Sequence, residues 1–250
     1  MIQSKTPQLS VIIPTLNEDQ NIIVTLEALI NRAFDPEQIE LIVVDGGSGD
    51  QTQTLIRHWQ ENHPQHRLYL LEGPAGRARQ MNLGASSARG EILYFIHADT
   101  LAPQNYDQLI IENTEPKHEA GCFRMAFDSK HWWMKLAGWG TRFKWQFCRG
   151  GDQSLFVSKA LFECIGGYAP EYIICEDLHL IDRLYARTHF RVLPQKVISS
   201  ARKYNERGLW QLQWHFWVIQ YKYRQDHSPQ ELWAYYQRNV WQNTPKKSVT

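Results

Sequence analysis

Asp45 is the first of two aspartates that end apolar runs in this 250-residue sequence, where a carboxylate could bind a ligand. It follows the run Ile39–Val44 and precedes Gly46 and Gly47, which let the backbone turn sharply and approach a ligand closely. A carboxylate there can accept hydrogen bonds from a nucleobase or from a ribose hydroxyl. A plain turn before a helix is an equally good interpretation, because Asp–Gly turns are common.

The segment His97-Ala98-Asp99 supplies the second aspartate, with an imidazole two residues before it. Residues i and i+2 of an extended chain point to the same side. The Asp99 carboxylate suits Mg²⁺ or Mn²⁺ bound to a diphosphate, since these hard cations prefer oxygen ligands. His97 could ligate Mn²⁺ or hydrogen-bond a phosphate, and an ordinary histidine satisfied at a strand end is an equally good interpretation.

Basic residues open a predicted helix after Gly76. Arg77 and Arg79 lie in its first turn, and Asn82 follows one turn later. A helix N-terminus binds anions, and guanidinium groups match phosphate oxygens. Cations alone are unfavourable at this end of a helix, so we favour a phosphate or ribose site over a solvated basic turn.

Glu176 and Asp177 are adjacent acids at the start of another predicted helix. Such a pair can simply cap the helix. A carboxylate facing a sugar hydroxyl could instead act as a general base. The segment 150–153, which contains Gly151, Asp152 and Gln153, is similarly either a turn or a loop that binds an acceptor.

The elements that must position these residues alternate between strand and helix over residues 9–99. The predicted strands are 9–13, 39–44, 67–71 and 91–96, and the predicted helices run from a cap at Asn17 to about Ile30, from 52 to 62 and from 76 to 88. We expect Asn17 to cap the first helix, with Glu18 and Asp19 in its first turn. Continuously apolar strands indicate a parallel sheet covered on both faces.

Ligands of such sheets bind at the carboxyl ends of the strands. Three polar clusters fall at those ends: Pro14–Glu18 (including Thr15), Asp45–Asp50 and His97–Thr100. This placement is the strongest physical indication of a site. After residue 120 the alternation weakens, with strands predicted at 121–127 and 154–157 and helices at 131–147, 176–187, 209–224 and 229–240.

In this order, the segments resemble the family 2 glycosyltransferases, which have the GT-A fold. The resemblance covers roughly residues 9–225 and rests on Ser10–Glu18, Val43–Asp50, Gly90–Asp99 and Glu176-Asp177. Gly76–Asn82, His97–Thr100 and Gly151–Val157 resemble more narrowly the radical-SAM/selenodomain-associated transferase subgroup. The sequence departs from the family at His97, where the metal-binding DxD element has its first acid.

The resemblance implies an α/β GT-A three-layer sandwich with a mostly parallel central sheet and C-terminal aromatic helices. It implies an inverting hexosyltransferase that uses a UDP- or GDP-linked sugar and Mn²⁺ or Mg²⁺. The implied nucleotide-sugar contacts are Pro14, Thr15, Asn17, Glu18, Asp45, Gly47, Arg77, Arg79, Asn82, His97 and Ala98. Asp99 with His97 would hold the metal, and Asp177, or alternatively Glu176, would deprotonate the acceptor hydroxyl.

Two other functional classes fit the sequence less well. A non-catalytic nucleotide-sugar or glycan-binding protein of this fold would explain His97 but not the retained acids. A nucleotidyltransferase usually has a glycine-rich basic loop after its first strand, whereas Pro14–Glu18 is acidic and lacks glycine. No QxxRW motif of processive synthases is evident, which favours transfer of single sugars.

Charge and tryptophan divide the chain into two unlike halves. Residues 1–129 contain 9 Lys and Arg against 17 Asp and Glu, whereas residues 130–250 contain 18 against 9. Nine of the ten tryptophans lie in the second half. We therefore expect one glycosyltransferase domain over 1–242, with a nucleotide-sugar half (1–129), an acceptor half (130–242) and a polar tail (243–250).

The aromatic residues of the second half have three interpretations. Trp210, Trp214, Trp217 and Tyr221 fall at i, i+4, i+7 and i+11, and such a stripe is usually a buried face. We favour core for most of these rings. The alternatives are a surface for a lipid-linked or otherwise hydrophobic acceptor at a membrane, and a homodimer interface. We expect the acceptor to contact Trp145, Gly151, Asp152 and Gln153.

The remaining features bound the cellular context. The four cysteines form no CxxC pair, and no signal peptide or 18-residue apolar run is evident. We expect a cytoplasmic protein, with peripheral contact at the inner membrane face as an extension of that expectation. No nucleic-acid-binding motif accompanies the basic half, so we expect no nucleic-acid partner.

Overall fold

The computed structural model describes residues 6–150 and 153–241, and the strands among these residues form one eight-stranded sheet. The strands are β1 (Leu9–Thr15), β2 (Ile39–Asp45), β3 (Leu68–Glu72), β4 (Ile92–Phe95), β5 (Thr100–Leu101), β6 (Ala120–Phe127), β7 (Leu155–Ser158) and β8 (Arg191–Ser199). Their order is β3-β2-β1-β4-β7-β6-β8-β5. Strands β3, β2, β1 and β4 are parallel to one another, and β7 is antiparallel to both its neighbours. The expected α/β class with a mostly parallel sheet is confirmed.

Helices cover both faces of this sheet. They are α1 (Ile22–Arg32), α2 (Thr52–Asn62), α3 (Arg77–Ser87), α4 (Tyr106–Asn113), α5 (Trp132–Gly140), α6 (Lys159–Cys164), α7 (Glu176–Tyr185), α8 (Arg202–Arg207), α9 (Leu209–Arg224) and α10 (Pro229–Tyr236). The predicted tail 243–250 lies outside the described residues. No helix in the described part of the chain combines the length and apolarity needed to cross a membrane.

The alternation of side chains along β1 divides the core into two layers. Leu9, Val11 and Ile13 pack with α1, α2 and α4 on one face. Ile12 belongs to the other layer, which α3, α6 and α7 cover. Because both faces are buried, β1 and β2 are buried along their whole length and mostly apolar, as the sequence indicates.

The prediction that Asn17 caps the first helix is wrong. Helix α1 begins at Ile22, and Asn21 is the residue before it. Asn17 instead has a positive φ of 55°, and its side-chain oxygen accepts a hydrogen bond from the Gly49 amide at 2.9 Å. Asparagine tolerates this left-handed conformation, so Asn17 joins two loops rather than starting a helix.

The predictions do not include strand β8 or helix α4. Pro194 interrupts β8, and the pairing with β6 shifts between Phe123 and Arg124, so that Pro194 and Gln195 have no partners in the register. Proline lacks the amide hydrogen that a strand interior needs, and such residues are accommodated in bulges. The sequence of β8 therefore lacks the alternation by which a strand is recognised.

Gly121 in β6 occupies a position where backbone and ring approach too closely for a side chain. A Cβ atom there would lie 2.4 Å from the Arg191 carbonyl oxygen and 2.4 Å from Cζ of Phe156. We expect Gly121→Ala to destabilise the protein by about 1–3 kcal/mol, because the strands must separate to accept the methyl group. Urea unfolding measures this change.

Gly140→Ala is the matched control, since a Cβ atom at Gly140 meets nothing within 4 Å. Its free energy of unfolding should equal or slightly exceed that of the wild type, because alanine is the better helix former. Equal stability of Gly121→Ala and wild type would contradict the packing described for β6.

Candidate active site

The loops that follow β1 and β2 are joined by hydrogen bonds at the carboxyl edge of the sheet. The Asn17 amide donates to the Ser48 hydroxyl at 2.9 Å, and the Glu18 amide donates to the Thr52 hydroxyl at 2.9 Å. The Gly49 amide completes the connection through the Asn17 side chain. Two of the three predicted polar clusters therefore form one surface.

The Asp45 carboxylate is buried at the centre of the β2 loop. It accepts hydrogen bonds from the Gly47 and Ser48 amides at 3.0 and 2.9 Å, from the Ser48 hydroxyl, and from the Gln53 amide at 2.8 Å. Burial by itself raises the pKa of Asp45, but these hydrogen bonds outweigh it and hold that pKa below its ordinary value. Asp45 is thus an ionised carboxylate that shapes the loop.

Helix α3 is tied to the same edge by Gln80. Its buried side-chain amide donates to the carbonyl oxygens of Thr15 and Val44 at 2.7 and 2.8 Å. A Cβ atom at Gly46 would lie 2.9 Å from the Gln80 nitrogen, so a side chain at position 46 would displace this contact. The α3 N-terminus, with Arg77 and the exposed Arg79, therefore adjoins the ends of β1 and β2.

Asp99 and Glu18 share a basic partner from the second half of the chain. Arg202 Nη2 lies 3.3 Å from Glu18 Oε1 and 4.0 Å from Asp99 Oδ2. Asp128 positions this arginine, because its carboxylate accepts a hydrogen bond from the Ala201 amide at 2.6 Å, directly before α8. Arg202 thus connects the loops after β1 and β4.

Asp99 is suited to a divalent cation that the protein and a bound phosphate ligand would coordinate together. No group of three His, Cys, Asp or Glu side chains in the described part of the chain forms a metal site by itself. Mg²⁺, however, is commonly bound by one or two carboxylates together with substrate phosphates. Asp99, a partly exposed carboxylate at the end of β4, offers the oxygen ligand for such a shared site.

The acid pair and His97 line the same pocket. That pocket is lined by His97, Gly150, Tyr168, Glu176 and Asp177, among others. The pair opens α7 as expected, and the first turn of α3 reaches it through Arg77, whose Nη1 lies 3.4 Å from Glu176 Oε1. The structure therefore brings His97 of the first half and the acid pair of the second half to one cavity.

The two acids differ in their surroundings. Glu176 is buried, whereas Asp177 is partly exposed. Burial raises the pKa of Glu176 to about 7; Arg77 opposes this shift, and the charge of Asp177 adds to it. Glu176 thus titrates near neutrality, and Asp177 is the more accessible carboxylate.

Several other predicted site residues have structural partners. The Asn82 side chain bonds to the backbone of Tyr168 through both its nitrogen and its oxygen, at 2.8 and 2.9 Å. Gln153 is buried and accepts a hydrogen bond from the Arg149 guanidinium at 2.7 Å. Trp145 is exposed and stacks on Phe143 with ring centroids 4.8 Å apart.

Arg149 holds the loop that leads to the pocket. Its buried guanidinium donates to the carbonyl oxygens of Thr141 and Phe143 as well as to Gln153. Gly151 and Asp152, predicted to bind the acceptor, lie outside the described residues. The part of this loop that the structure describes is thus organised around one buried cation.

The interpretation of the aromatic stripe as mostly core is wrong. Trp210, Trp214, Trp217 and Tyr221 are all exposed, and the buried side chains of α9 are Leu212 and Ile219 on the opposite face. The spacing correctly indicates one face of a helix, but it cannot tell which face the protein covers. Seven of the ten tryptophans are exposed. Besides the three of the stripe, they are Trp132, Trp139, Trp145 and Trp241.

Sequence comparison places this arrangement in a family. The model of glycosyl transferase family 2 matches residues 10–170, and the chain belongs to that family. A probable glycosyltransferase, YdaM of Bacillus subtilis, is 23% identical over 230 residues, which are 83% of this chain and 53% of that protein. The PGL/p-HBAD biosynthesis glycosyltransferase of Mycobacterium bovis is 26% identical over 209 residues, 81% of this chain and 78% of that protein. The chain thus spans about half the length of YdaM.

Solved structures share the GT-A fold. The mannosyltransferase PcManGT of Pyrobaculum calidifontis, in complex with GDP-Man and Mn²⁺, has a TM-score of 0.66 at 23% sequence identity. The matched region covers 86% of this chain and 61% of that one. TarS of S. aureus in complex with UDP-GlcNAc has a TM-score of 0.63 at 16% identity, covering 77% of this chain and 58% of its own. Both likenesses concern the fold.

Arg202 is the residue at this site that sequence reasoning missed. It is one of eight Lys and Arg residues in 200–250, and no motif distinguishes it from the others. Its position depends on β8, which the predictions also omit.

The raised pKa of Glu176 predicts a fall in stability with pH. The unfolded chain releases this proton near the ordinary value of 4.5, whereas the folded protein retains it to about 7. Between these values the folded state binds more protons, so its stability falls as pH rises, by about 3 kcal/mol in all. Glu176→Gln should remove most of that fall, as measured by urea unfolding at pH 5, 6, 7 and 8.

Glu163→Gln, at an exposed position in α6, is the control and should keep the wild-type pH dependence. Parallel stability curves for Glu176→Gln and the wild type would contradict the assignment of this titration to Glu176.

Proposed function

We propose that this protein is an inverting glycosyltransferase that moves a single sugar from a nucleoside-diphosphate sugar to a hydroxyl group. One observation carries the proposal: the carboxyl edge of the sheet, with Asp45 and Asp99, adjoins a pocket lined by His97, Glu176 and Asp177. Membership of family 2 supports the reaction type. The narrower assignment to the radical-SAM-associated subgroup remains a proposal based on the motifs named above.

The donor would lie over the joined loops of β1 and β2. The buried charge of Asp45 holds the Gly46–Gly49 backbone in place, and this backbone would face the nucleoside. Arg77 and Arg79 at the α3 N-terminus would face the diphosphate, where guanidinium groups and a helix dipole favour anions. The bound UDP-GlcNAc and GDP-Man of the similar structures support a UDP- or GDP-linked donor.

Asp99, with His97, would hold Mn²⁺ or Mg²⁺, which when bound would neutralise charge on the diphosphate. The Mn²⁺ in the PcManGT complex supports a metal at this edge of the fold. Arg202 would neutralise the same diphosphate from the opposite side, because it already lies between Glu18 and Asp99. A second cationic group would compensate for His97, which stands where the family has an acid.

Asp177 would take the proton of the acceptor hydroxyl, since it is the more accessible acid of the pair. The acceptor oxygen then attacks the anomeric carbon as the bond to the diphosphate breaks, which inverts the configuration. Glu176 would orient this region through Arg77. Glu176 remains the alternative base, because a pKa of about 7 suits proton transfer near neutral pH.

The acceptor would approach from the second half of the chain, near Trp145 and the loop 150–153. The exposed ring of Trp145 supports a hydrophobic or lipid-linked acceptor. We propose that residues 1–242 act as one glycosyltransferase unit, in which the first half binds the donor and the second half binds the acceptor.

Asp99→Ala should abolish the increase in melting temperature that UDP or GDP with Mn²⁺ gives the wild type. The substitution removes the carboxylate that would share the metal with the diphosphate. Thermal shift with each nucleotide, with and without Mn²⁺, measures this loss. Glu61→Ala, at an exposed position in α2, should respond as the wild type does; a full shift in Asp99→Ala would contradict the assigned site.

Asp177→Asn should lower donor hydrolysis or sugar transfer by about 100-fold or more, because general-base catalysis commonly contributes that much. The variant should still bind the nucleotide, since Asp177 would act on the acceptor. Release of UDP or GDP from the nucleotide sugar measures the rate. Donor hydrolysis that is equal in wild type and Asp177→Asn would instead favour a non-catalytic binding protein.

The nucleotide used here is the one, UDP or GDP, that raises the melting temperature of the wild type. Arg202→Ala should weaken its binding about tenfold or more, because a charged hydrogen bond contributes about 1.5–3 kcal/mol. Arg202→Lys keeps the charge but loses the planar fork and should give an intermediate Kd. Calorimetric titration measures both values. Arg187→Ala, exposed after α7, is the control, and equal Kd values for all four proteins would exclude Arg202 from the donor site.

A further inference from the structure

Helices α5 and α9 together expose an aromatic surface that the proposed reaction does not use. We define the tryptophan face as Trp132, Trp210, Trp214, Trp217 and Tyr221. Their exposed fractions are 60, 52, 60, 44 and 67%. Soluble proteins seldom expose large apolar side chains in such a continuous group, and a patch of this kind marks an interaction site.

The face is continuous because tryptophan rings of the two helices contact one another. Trp133 of α5 lies between them, with its ring centroid 5.3 Å from that of Trp210 and 5.8 Å from that of Trp217. The Trp132 and Trp210 centroids are 6.0 Å apart. From Trp210 to Tyr221 the rings extend about 16 Å along α9, given a rise of about 1.5 Å per residue.

The opposite side of α9 supplies its contribution to the core. Leu212 and Ile219 are buried there, and Ile219 packs with Leu178 of α7 and Leu232 of α10. The helix therefore has its packed side already, and the aromatic rings are not needed to attach it to the protein. The rings therefore lie on the solvent-facing side of α9.

The two helices that carry the tryptophan face have basic residues and no acidic one. Neither α5 nor α9 contains an acidic residue, and no acid occurs between Asp128 and Asp152. Lys130, Lys135, Arg142 and Lys144 all lie in this interval and are exposed. A surface of this composition complements an anionic partner.

We propose that the tryptophan face lies on an anionic lipid bilayer and holds the protein there as a peripheral membrane protein. Trp and Tyr prefer the headgroup region, where an apolar ring and a polar N–H or O–H group are both satisfied. A helix that lies in this plane buries one apolar face, and nearby Lys and Arg residues bind anionic headgroups. Both features are present here, and they favour a bilayer over a second copy, whose identical face would bring like charges together.

The face is fixed relative to the pocket by Asp182 of α7. Asp182 accepts a hydrogen bond from the Tyr223 hydroxyl of α9 at 2.8 Å and one from the Gln146 side chain after α5. The same helix begins with Glu176 and Asp177. Membrane binding would thus orient the pocket relative to the lipid surface, a consequence that rests on the proposed function, whereas the binding itself does not.

The test uses the full chain and sedimented vesicles of phosphatidylcholine alone or with 30% phosphatidylglycerol. Wild type should bind the anionic vesicles, more weakly at 0.5 M NaCl, because salt screens the headgroup attraction. The triple variant Trp210→Ala, Trp214→Ala, Trp217→Ala should bind at least tenfold more weakly. Lys135→Gln with Lys144→Gln should reduce binding to the anionic vesicles at least fivefold.

Phe34→Ala is the matched control, because Phe34 is an exposed aromatic residue outside the face at 62% exposure. It should bind vesicles as the wild type does. Equal vesicle binding by the wild type and the triple variant would overturn the proposal. So would a wild type that is dimeric without lipid and becomes monomeric in the triple variant, since a second copy would then cover the face.

The nucleotide-dependent thermal shift separates this proposal from the proposed function. The triple variant should keep the wild-type shift, which also shows that it folds. If the wild type binds vesicles but shows no shift with UDP or GDP, the proposed function fails and the membrane surface stands. If the shift is present and vesicle binding is absent, the reverse holds.

Discussion

The candidate site depends on a buried carboxylate, Asp45, whose charge must be balanced where strand β2 ends. Two loop amides, one hydroxyl and one side-chain amide donate to it, and this requirement sets the path of the Gly46–Gly49 backbone. The loop after β1 is then fixed against it through Asn17. A nucleotide would therefore meet a backbone that is already formed, which lowers the entropy cost of binding.

The second half of the chain meets this edge at two points, and each contains an arginine paired with an acid. Arg77 connects α3 to Glu176 at the start of α7, and Arg202 connects Glu18 and Asp99 to the end of β8. The charge asymmetry of the sequence has a local counterpart at Arg202, where two acids of the first half meet an arginine of the second, whereas at Arg77 the acid belongs to the second half. The basic residues near α5 face outward instead, so the positive charge of the second half has two separate locations.

Much of the first half follows from sequence pattern. Continuous apolar runs predict β1 to β4, and helix α2 has the predicted bounds, because a parallel sheet buried on both faces leaves a strong local signal. The polar clusters at strand ends are placed correctly for the same reason. Prediction from sequence pattern fails where tertiary contacts override it. Asn17 does not cap a helix, because its side chain joins two loops 32 residues apart in sequence. Strand β8 is not recognised, because Pro194 lies in a bulge.

The sequence by itself determined the parallel sheet, the strand-end carboxylates and the acid pair, because each is a local pattern of residue types. Only the tertiary structure decided that Arg202 lies beside Asp99, since that contact joins segments about a hundred residues apart through the pairing of β6 with β8. It also decided that the tryptophan stripe faces outward. Helical spacing puts those rings on one side of α9, but which side is covered depends on the packing of Leu212 and Ile219 against neighbouring elements.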